Sequence, residues 1–298
     1  MPHVAATVAS VFENNRDMHF DVHILGTDVT EESAKKICEF ASKYGNTAEV
    51  VLVHPEELEI DLEVCGKWGI YPSLKLYAVD FFPDIDKILY MDADMICIGS
   101  LKPLEEIDMS TAYVGMVIDE KEGKSHKQRL GMSPNAFYGC AGLAYLNLEK
   151  WREDGIRKKC FDYFNAPENR KLFRFAEQDV LNKVCEGHIK ELPIEYNMFS
   201  YYWLHHGHNI PDKYRSQIDP HKKNAVIIHY IDACKPWFDD CRFPLKKYYH
   251  QYAALTPWGD HQCGWSPMYE GRWALFKNDI KILLHHVGIK KDDFVYDC

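Results

Sequence analysis

Apolar residues recur at helical spacing through VAATVASVFEN (Val4 to Asn14), and the run stops at the turn signal Asn14-Asn15. DVHIL (Asp21 to Leu25) then reads as a short strand. Thr30, followed by Glu31 and Glu32, has the hydroxyl and the first-turn charge that open a helix, which the pattern carries to near Tyr44. AEVVLV (Ala48 to Val53) reads as a second strand, and Pro72 to Phe82 as a helix. KILYMD (Lys87 to Asp92) is an apolar strand leading straight into acidic residues, and Tyr113 to Ile118 and Leu143 to Leu148 look like further strands. This alternation predicts an α/β fold, a Rossmann-like and mostly parallel sheet covered by helices. Ligands of such sheets bind beyond the carboxyl ends of the strands, so the residues that follow each strand are the first candidates for chemistry. A doubly wound domain opens with a strand, whereas this chain opens almost at once with a helix. Either the fold starts atypically, or the chain as given lacks its first strand.

Composition narrows the function classes. Among 298 residues, 35 Lys and Arg stand against 45 Asp and Glu, a formal net charge of −10, and no basic cluster dominates. Nucleic acid is therefore not the expected partner. An apolar share of 46% supplies a sizeable core and excludes disorder and fibres. The charge-free stretch Gly131 to Leu148 is broken by Ser133, Pro134, Asn135 and glycines, so no transmembrane segment is expected. The ten cysteines are spaced too widely for a zinc ribbon or a small disulfide scaffold. Reduced, mostly buried thiols and a cytoplasmic location follow from that reading.

The strongest local chemistry is Met91-Asp92-Ala93-Asp94-Met95 at the end of Ile88-Leu89-Tyr90. Residues two apart on a strand point to the same side, so both carboxylates can converge at its carboxyl end as hard oxygen ligands for Mg²⁺ or Mn²⁺. The plainer alternative is a solvated acidic turn. Two enzyme classes place D-x-D at a strand end: haloacid-dehalogenase-like phosphatases and GT-A nucleotide-sugar glycosyltransferases. The phosphatase motif lies near its domain's start and carries Thr or Val two residues after the second Asp, where this chain has Ile96. Asp239-Asp240 could supply a phosphatase's late acidic pair, but Lys235-Pro236-Trp237 would have no role in it. The transferase reading is preferred, and a catalytically inactive sugar-nucleotide binder is the non-enzyme alternative.

Four ordered motifs carry a family resemblance. FFPDIDKILYMDADMICIGSLKPL, CAGLAYLNLEKWR (Cys140 to Arg152), EQDVLN (Glu177 to Asn182) and HYIDACKPW (His229 to Trp237) resemble, in this order and at these spacings, glycosyltransferase family 8. That group contains glycogenin and, closer to this chain, bacterial lipopolysaccharide galactosyl- and glucosyltransferases. The resemblance runs from about Val4 to about Trp237, and it implies a GT-A catalytic domain over residues 1–256 that lacks its N-terminal strand, followed by a helical tail over 257–298.

The resemblance implies a retaining transferase that moves galactose or glucose from a UDP-sugar to a saccharide or lipid-linked glycan acceptor. Asp92, Asp94 and His229 would hold Mn²⁺, with Mg²⁺ as the alternative; mixed oxygen and imidazole donors suit Mn²⁺. Lys235 would approach the diphosphate. Ala93, Asp119, Cys140, Ala141, Glu177 and Asp232 would line the donor, with Asp119 equally readable as a helix cap. Gln178 would stand near the anomeric carbon. An amide is a poor nucleophile, which favours departure and attack on one face with Gln178 stabilising positive charge; Asp179 is either the trapped nucleophile of a double displacement or a structural carboxylate. Trp237 and Tyr230 read as packing residues.

The chain also departs from the family pattern. Cys140 stands where Asn is expected, Asp232 where Gly is expected, and Ser73 where a basic residue is expected; Lys75 is nearby but is expected to point elsewhere. In the tail, Arg272 to Val287 is helix-like with one apolar face, which packs on its own domain or, less readily, on a membrane surface as a peripheral contact.

Overall fold

The computed structural model describes all residues except 61–64, 66–68, 120–122, 204–211, 232–234, 242, 244, 267–279 and 281–298. The helix expected over Arg272 to Val287 lies, except for Ile280, outside the described residues. The strands are β1 (Asp21–Gly26), β2 (Thr47–Leu52), β3 (Lys87–Met91), β4 (Met95–Cys97), β5 (Val114–Ile118), β6 (Gly139–Asn147), β7 (Ile189–Glu191), β8 (Met198–Phe199) and β9 (Ile227–His229). The chain divides into two compact units: Met1–Met18 with Ala93–Lys102 and Ile194–Cys298, and His19–Asp92 with Pro103–Pro193.

In the first of these units, helix Pro2–Asn14 opens with proline in its first turn, where a missing N–H costs nothing. Residues Ala5 to Phe12 are all buried, and the buried polar ones are spent on β4 and the turn before it. Ser10 Oγ accepts from Cys97 N at 2.9 Å, and Thr7 Oγ1 donates to the Ala93 carbonyl at 3.0 Å. β4 pairs antiparallel with β9, placing Met95 opposite His229, and β8 pairs parallel with β9, placing Phe199 opposite His229. This register closes a sequence separation of more than a hundred residues around one histidine.

In the other unit, β1 and β2 pair in parallel across helix Glu31–Ser42, which Thr30 caps by accepting from Ser33 N at 3.2 Å. A second sheet runs β3-β6-β5-β7, with β6 antiparallel to both neighbours and β7 parallel to β5. Buried Ala144, Leu146, Leu148, Trp151, Phe164 and Leu181 belong to its core, and Trp151 donates its indole N–H to Tyr113 O at 2.9 Å.

Three features differ from the sequence-based expectation. Among the described residues three of six strand pairings are antiparallel, so the α/β architecture holds with sheets that are mixed rather than mostly parallel. β6 begins four residues before Leu143, because Gly139-Cys140-Ala141-Gly142 is small and buried and offers neither alternation nor β-branching to announce a strand. The segment expected as one helix over Pro72 to Phe82 is a 3₁₀ helix, Tyr71–Tyr77, followed by one α turn, Ala78–Phe81. Ser73 to Tyr77 are buried without interruption, so no single apolar face sets the winding. The eight cysteines among the described residues are free thiols, six of them buried, as the composition implied. No described helix is long and apolar enough to cross a membrane.

Candidate active site

Asp94 follows the turn into β4, and β9 delivers His229 beside it. His229 Nε2 lies 3.4 Å from Asp94 Oδ1, and the ladder continues one step further with Tyr230 N donating to Asp94 O at 2.9 Å. Lys235 Nζ donates to Asp94 Oδ2 at 2.6 Å and to Tyr230 O at 2.8 Å. Burial alone would raise the Asp94 pKa, but the adjacent Lys235 and His229 outweigh it and hold this carboxyl well below the usual range. Its Oδ1 is buried and has no hydrogen-bond partner among the described residues.

Asp92 is joined to Asp94 through Ala93 alone. The ligand atoms of Asp92, Asp94 and His229 lie within 4.8 Å of one another, the group among the described residues that could hold a metal ion. The donor set fits such an ion: two carboxylates and one imidazole, with one buried carboxylate oxygen left without a hydrogen bond among the described residues. Asp92 itself extends the β3–β6 pairing, its N–H donating to Gly142 O at 2.9 Å, and Tyr90 OH donates to its Oδ1 at 2.7 Å.

A second cluster forms where helix Ala176–Val184 meets the start of β6. The β5–β6 ladder jumps from Gly115↔Tyr145 to Val117↔Cys140. Side chains take over where the ladder is interrupted. Gln178 Oε1 accepts from Ala141 N at 2.9 Å, while Asn182 clamps both backbone groups of Gly139 at 2.7 and 2.8 Å. Gly139 tolerates no side chain, since a Cβ would sit 2.6 Å from that of Met116. The other end of Gln178, Nε2, donates to Asp119 Oδ2 at 3.0 Å and to Tyr138 OH at 3.3 Å.

Glu177, next to Gln178, is buried and its pKa is raised by that burial, with Lys75 opposing the rise. Lys75 is 1% exposed; its Nζ donates to Ala141 O at 2.7 Å and Glu177 Oε1 at 3.3 Å, and sits 4.2 Å from the centroid of the Tyr90 ring. Lys75 is thereby directed at Ala141 and Glu177. A 3₁₀ helix turns 120° per residue, so Ser73 and Lys75 face different ways, and it is Lys75 that reaches Ala141.

Asp179 is fully buried. Its carboxylate accepts from Arg174 N at 2.7 Å, Phe175 N at 3.0 Å and Tyr138 OH at 2.8 Å, and faces His126 and Arg129. Burial opposes ionisation here, but His126, the two backbone N–H groups and Tyr138 together lower the pKa. Of its two sequence-based roles the structural one fits, because an enclosed carboxylate cannot attack a sugar.

The remaining expected residues divide. Ala93 contributes a carbonyl held by Thr7, and Ala141 a backbone held at both N and O. Cys140 is buried in β6. Asp232 lies outside the described residues. Tyr230 is buried, with its hydroxyl on Leu245 O, and Trp237 stacks on His3 at 3.9 Å, so both serve packing as expected. Sequence reasoning missed Asn197 and Tyr138. Asn197 is a buried amide at the His229 ring, and nothing local in Ile194-Glu195-Tyr196 announces it.

A model described as Glycosyl transferase family 8 matches residues 1–241. A lipopolysaccharide 1,2-glucosyltransferase of Escherichia coli is 28% identical over 257 residues, covering 85% of this chain and 75% of that protein. A lipopolysaccharide 1,3-galactosyltransferase of Salmonella typhimurium is 26% identical over 258 residues, covering 85% and 74%. Among solved structures, the galactosyltransferase LgtC in complex with donor and acceptor sugar analogs matches with a TM-score of 0.72 at 23% identity, covering 86% of this chain and 92% of LgtC. That likeness establishes a GT-A fold.

Proposed function

The chain belongs to glycosyl transferase family 8, and from that premise we propose that it transfers galactose or glucose, with retention of configuration, from a UDP-sugar to a saccharide acceptor of the lipopolysaccharide kind, using Mn²⁺. Membership removes the phosphatase reading of the same acidic pair. The relatives named above use a glucosyl and a galactosyl group on lipopolysaccharide, which supports a hexose and that acceptor class. Free, mostly buried thiols support a cytoplasmic setting.

The observation that carries the reading is the convergence of Asp94 Oδ1, which has no hydrogen-bond partner among the described residues, with His229 Nε2 at 3.4 Å and with Asp92 two residues away. Asp92, Asp94 and His229 would hold the cation. When bound, it makes a nucleoside diphosphate a better leaving group without a proton. Lys235, fixed by Tyr230 O and Asp94, supplies a positive charge for the departing phosphate. Gln178 is oriented at both ends by Ala141, Asp119 and Tyr138. Its oxygen keeps a second lone pair, which can face positive charge developing at a sugar, and this supports same-face departure and attack over a protein nucleophile. Glu177, its charge balanced by Lys75, is the acceptor for sugar hydroxyls.

The test is thermal. UDP raises the melting temperature only when Mn²⁺ is present, and Asp94→Ala abolishes that stabilisation while the protein still melts cooperatively. Equal stabilisation by UDP without any cation, or an unaffected Asp94→Ala protein, would sink the metal assignment. Release or transfer of the donor's hexose separates the enzyme from a non-catalytic binder.

A further inference from the structure

A histidine that ligates a cation through Nε2 must carry its proton on Nδ1, and an acceptor at Nδ1 holds both the tautomer and the ring plane. Such an acceptor is present at His229. The Asn197 side-chain Oδ1 lies 2.9 Å from His229 Nδ1. Asn197 is fully buried at the end of the 3₁₀ turn Ile194–Asn197, immediately before β8. Two strand-level contacts fix that turn against β9: Val226 N donates to Glu195 O at 2.8 Å, and β8 pairs with β9 so that Phe199 stands opposite His229. The Phe199 ring also meets the imidazole edge-on, with centroids 5.6 Å apart. On the far side of the ring, Nε2 faces the unsatisfied Asp94 Oδ1.

The amide does little else. Asn197 Nδ2 is buried with no hydrogen-bond partner among the described residues. Leaving a buried donor unmade is costly. An Asn maintained at that cost, with its oxygen on an imidazole, has the form of a device serving the imidazole rather than general packing.

We infer that Asn197 is a positioning residue of the cation site, holding His229 as the Nδ1–H tautomer with the Nε2 lone pair directed at the ion beside Asp94. This rests on the cation-dependent transferase reading above. It adds a residue from a separate turn to the site, and it makes the cation affinity of the protein depend on an amide that does not touch the cation.

Two measurements test it without turnover. In wild type loaded with UDP and Mg²⁺, a diamagnetic ion, ¹⁵N-histidine spectra assign His229 to the Nδ1–H tautomer; finding the proton on Nε2 in the loaded protein overturns the inference, whatever any variant does. Mn²⁺ affinity in the presence of UDP, read by the loss of the free-ion electron paramagnetic resonance signal, falls about 10- to 100-fold in Asn197→Ala. It is retained in Asn197→Asp, which keeps an acceptor at the same distance from the backbone. Folded Asn197→Ala protein that binds Mn²⁺ as tightly as wild type also overturns the inference. The two levels separate cleanly: wild type that binds Mn²⁺ while Asn197→Ala is unchanged condemns only the role of Asn197, whereas wild type that binds no divalent cation condemns the transferase site as well.

Discussion

Replacing Lys75 by Met keeps the volume of the aliphatic stem and removes the ammonium from a position 1% exposed. Two acceptors then lose their donor, Ala141 O at 2.7 Å and Glu177 Oε1 at 3.3 Å. An abandoned buried carbonyl costs about 1–3 kcal/mol, and a buried carboxylate stripped of its cation about 3–5 kcal/mol. The two penalties share one cause and do not simply add, so the expected loss is about 3–5 kcal/mol. Converting the carboxylate as well, in Lys75→Met/Glu177→Gln, removes the uncompensated charge and should return about 2 kcal/mol. The sign with pH follows from Glu177. Burial raises its pKa in the folded protein against the pull of Lys75, so between its unfolded and folded values the native state binds more protons, and stability falls as pH rises through the folded value. In Lys75→Met that decline extends to higher pH, and in the double variant it disappears. Urea unfolding followed by tryptophan fluorescence at several pH values measures all three proteins. A loss below about 1 kcal/mol for Lys75→Met, or a double variant no more stable than the single one, would refute the view that these two groups are a mutually dependent buried pair.

Two further changes probe neighbouring residues. Gln178→Ala should lower kcat more than it raises the KM for donor, because its oxygen is proposed to act on charge that develops during transfer; steady-state kinetics giving equal losses in both would contradict that role. Asp179→Asn should cost about 3–5 kcal/mol by unbalancing Arg129 and the donors gathered on this carboxylate. Because the folded-state pKa of Asp179 is lowered, its stabilisation is present above the unfolded value and is lost as pH falls through the folded one. Acid titration followed by circular dichroism should therefore show a shallower acid limb in Asp179→Asn than in wild type.

The elements legible in the sequence are those whose burial is one-sided or whose ends carry their own chemistry. Helix Glu31–Ser42 announces itself through the Thr30 cap and its acidic first turn, and β3 through an apolar run that stops at Asp92. Where burial surrounds the chain, periodicity carries no information. The Ser73 to Tyr77 segment and the Gly139 to Ala141 start of β6 are buried throughout, so the winding of the first and the extent of the second leave no periodic trace. Parallel against antiparallel pairing was equally illegible, because it depends on which distant segment arrives, as β9 does at β4.

The same division governs the chemistry. Asp94, His229 and Lys235 could be named in advance because each sits in a contiguous motif, and the β4–β9 register brings all three to one place. Residues that make those groups usable have no such signature. Lys75 acquires its significance only once Glu177, 102 residues away, is beside it, and Asn197 only once His229, 32 residues away, presents its Nδ1. Each is an ordinary polar residue in its own sequence neighbourhood. Burial converts it into a required one, because an ion or donor removed from water must find its partner in the fold. Supporting residues of this kind are therefore found by asking which buried polar atom satisfies which motif residue. At Asp94 Oδ1 that question returns no hydrogen bond among the described residues and only the His229 ring 3.4 Å away, which is a physical reason to expect a cation there.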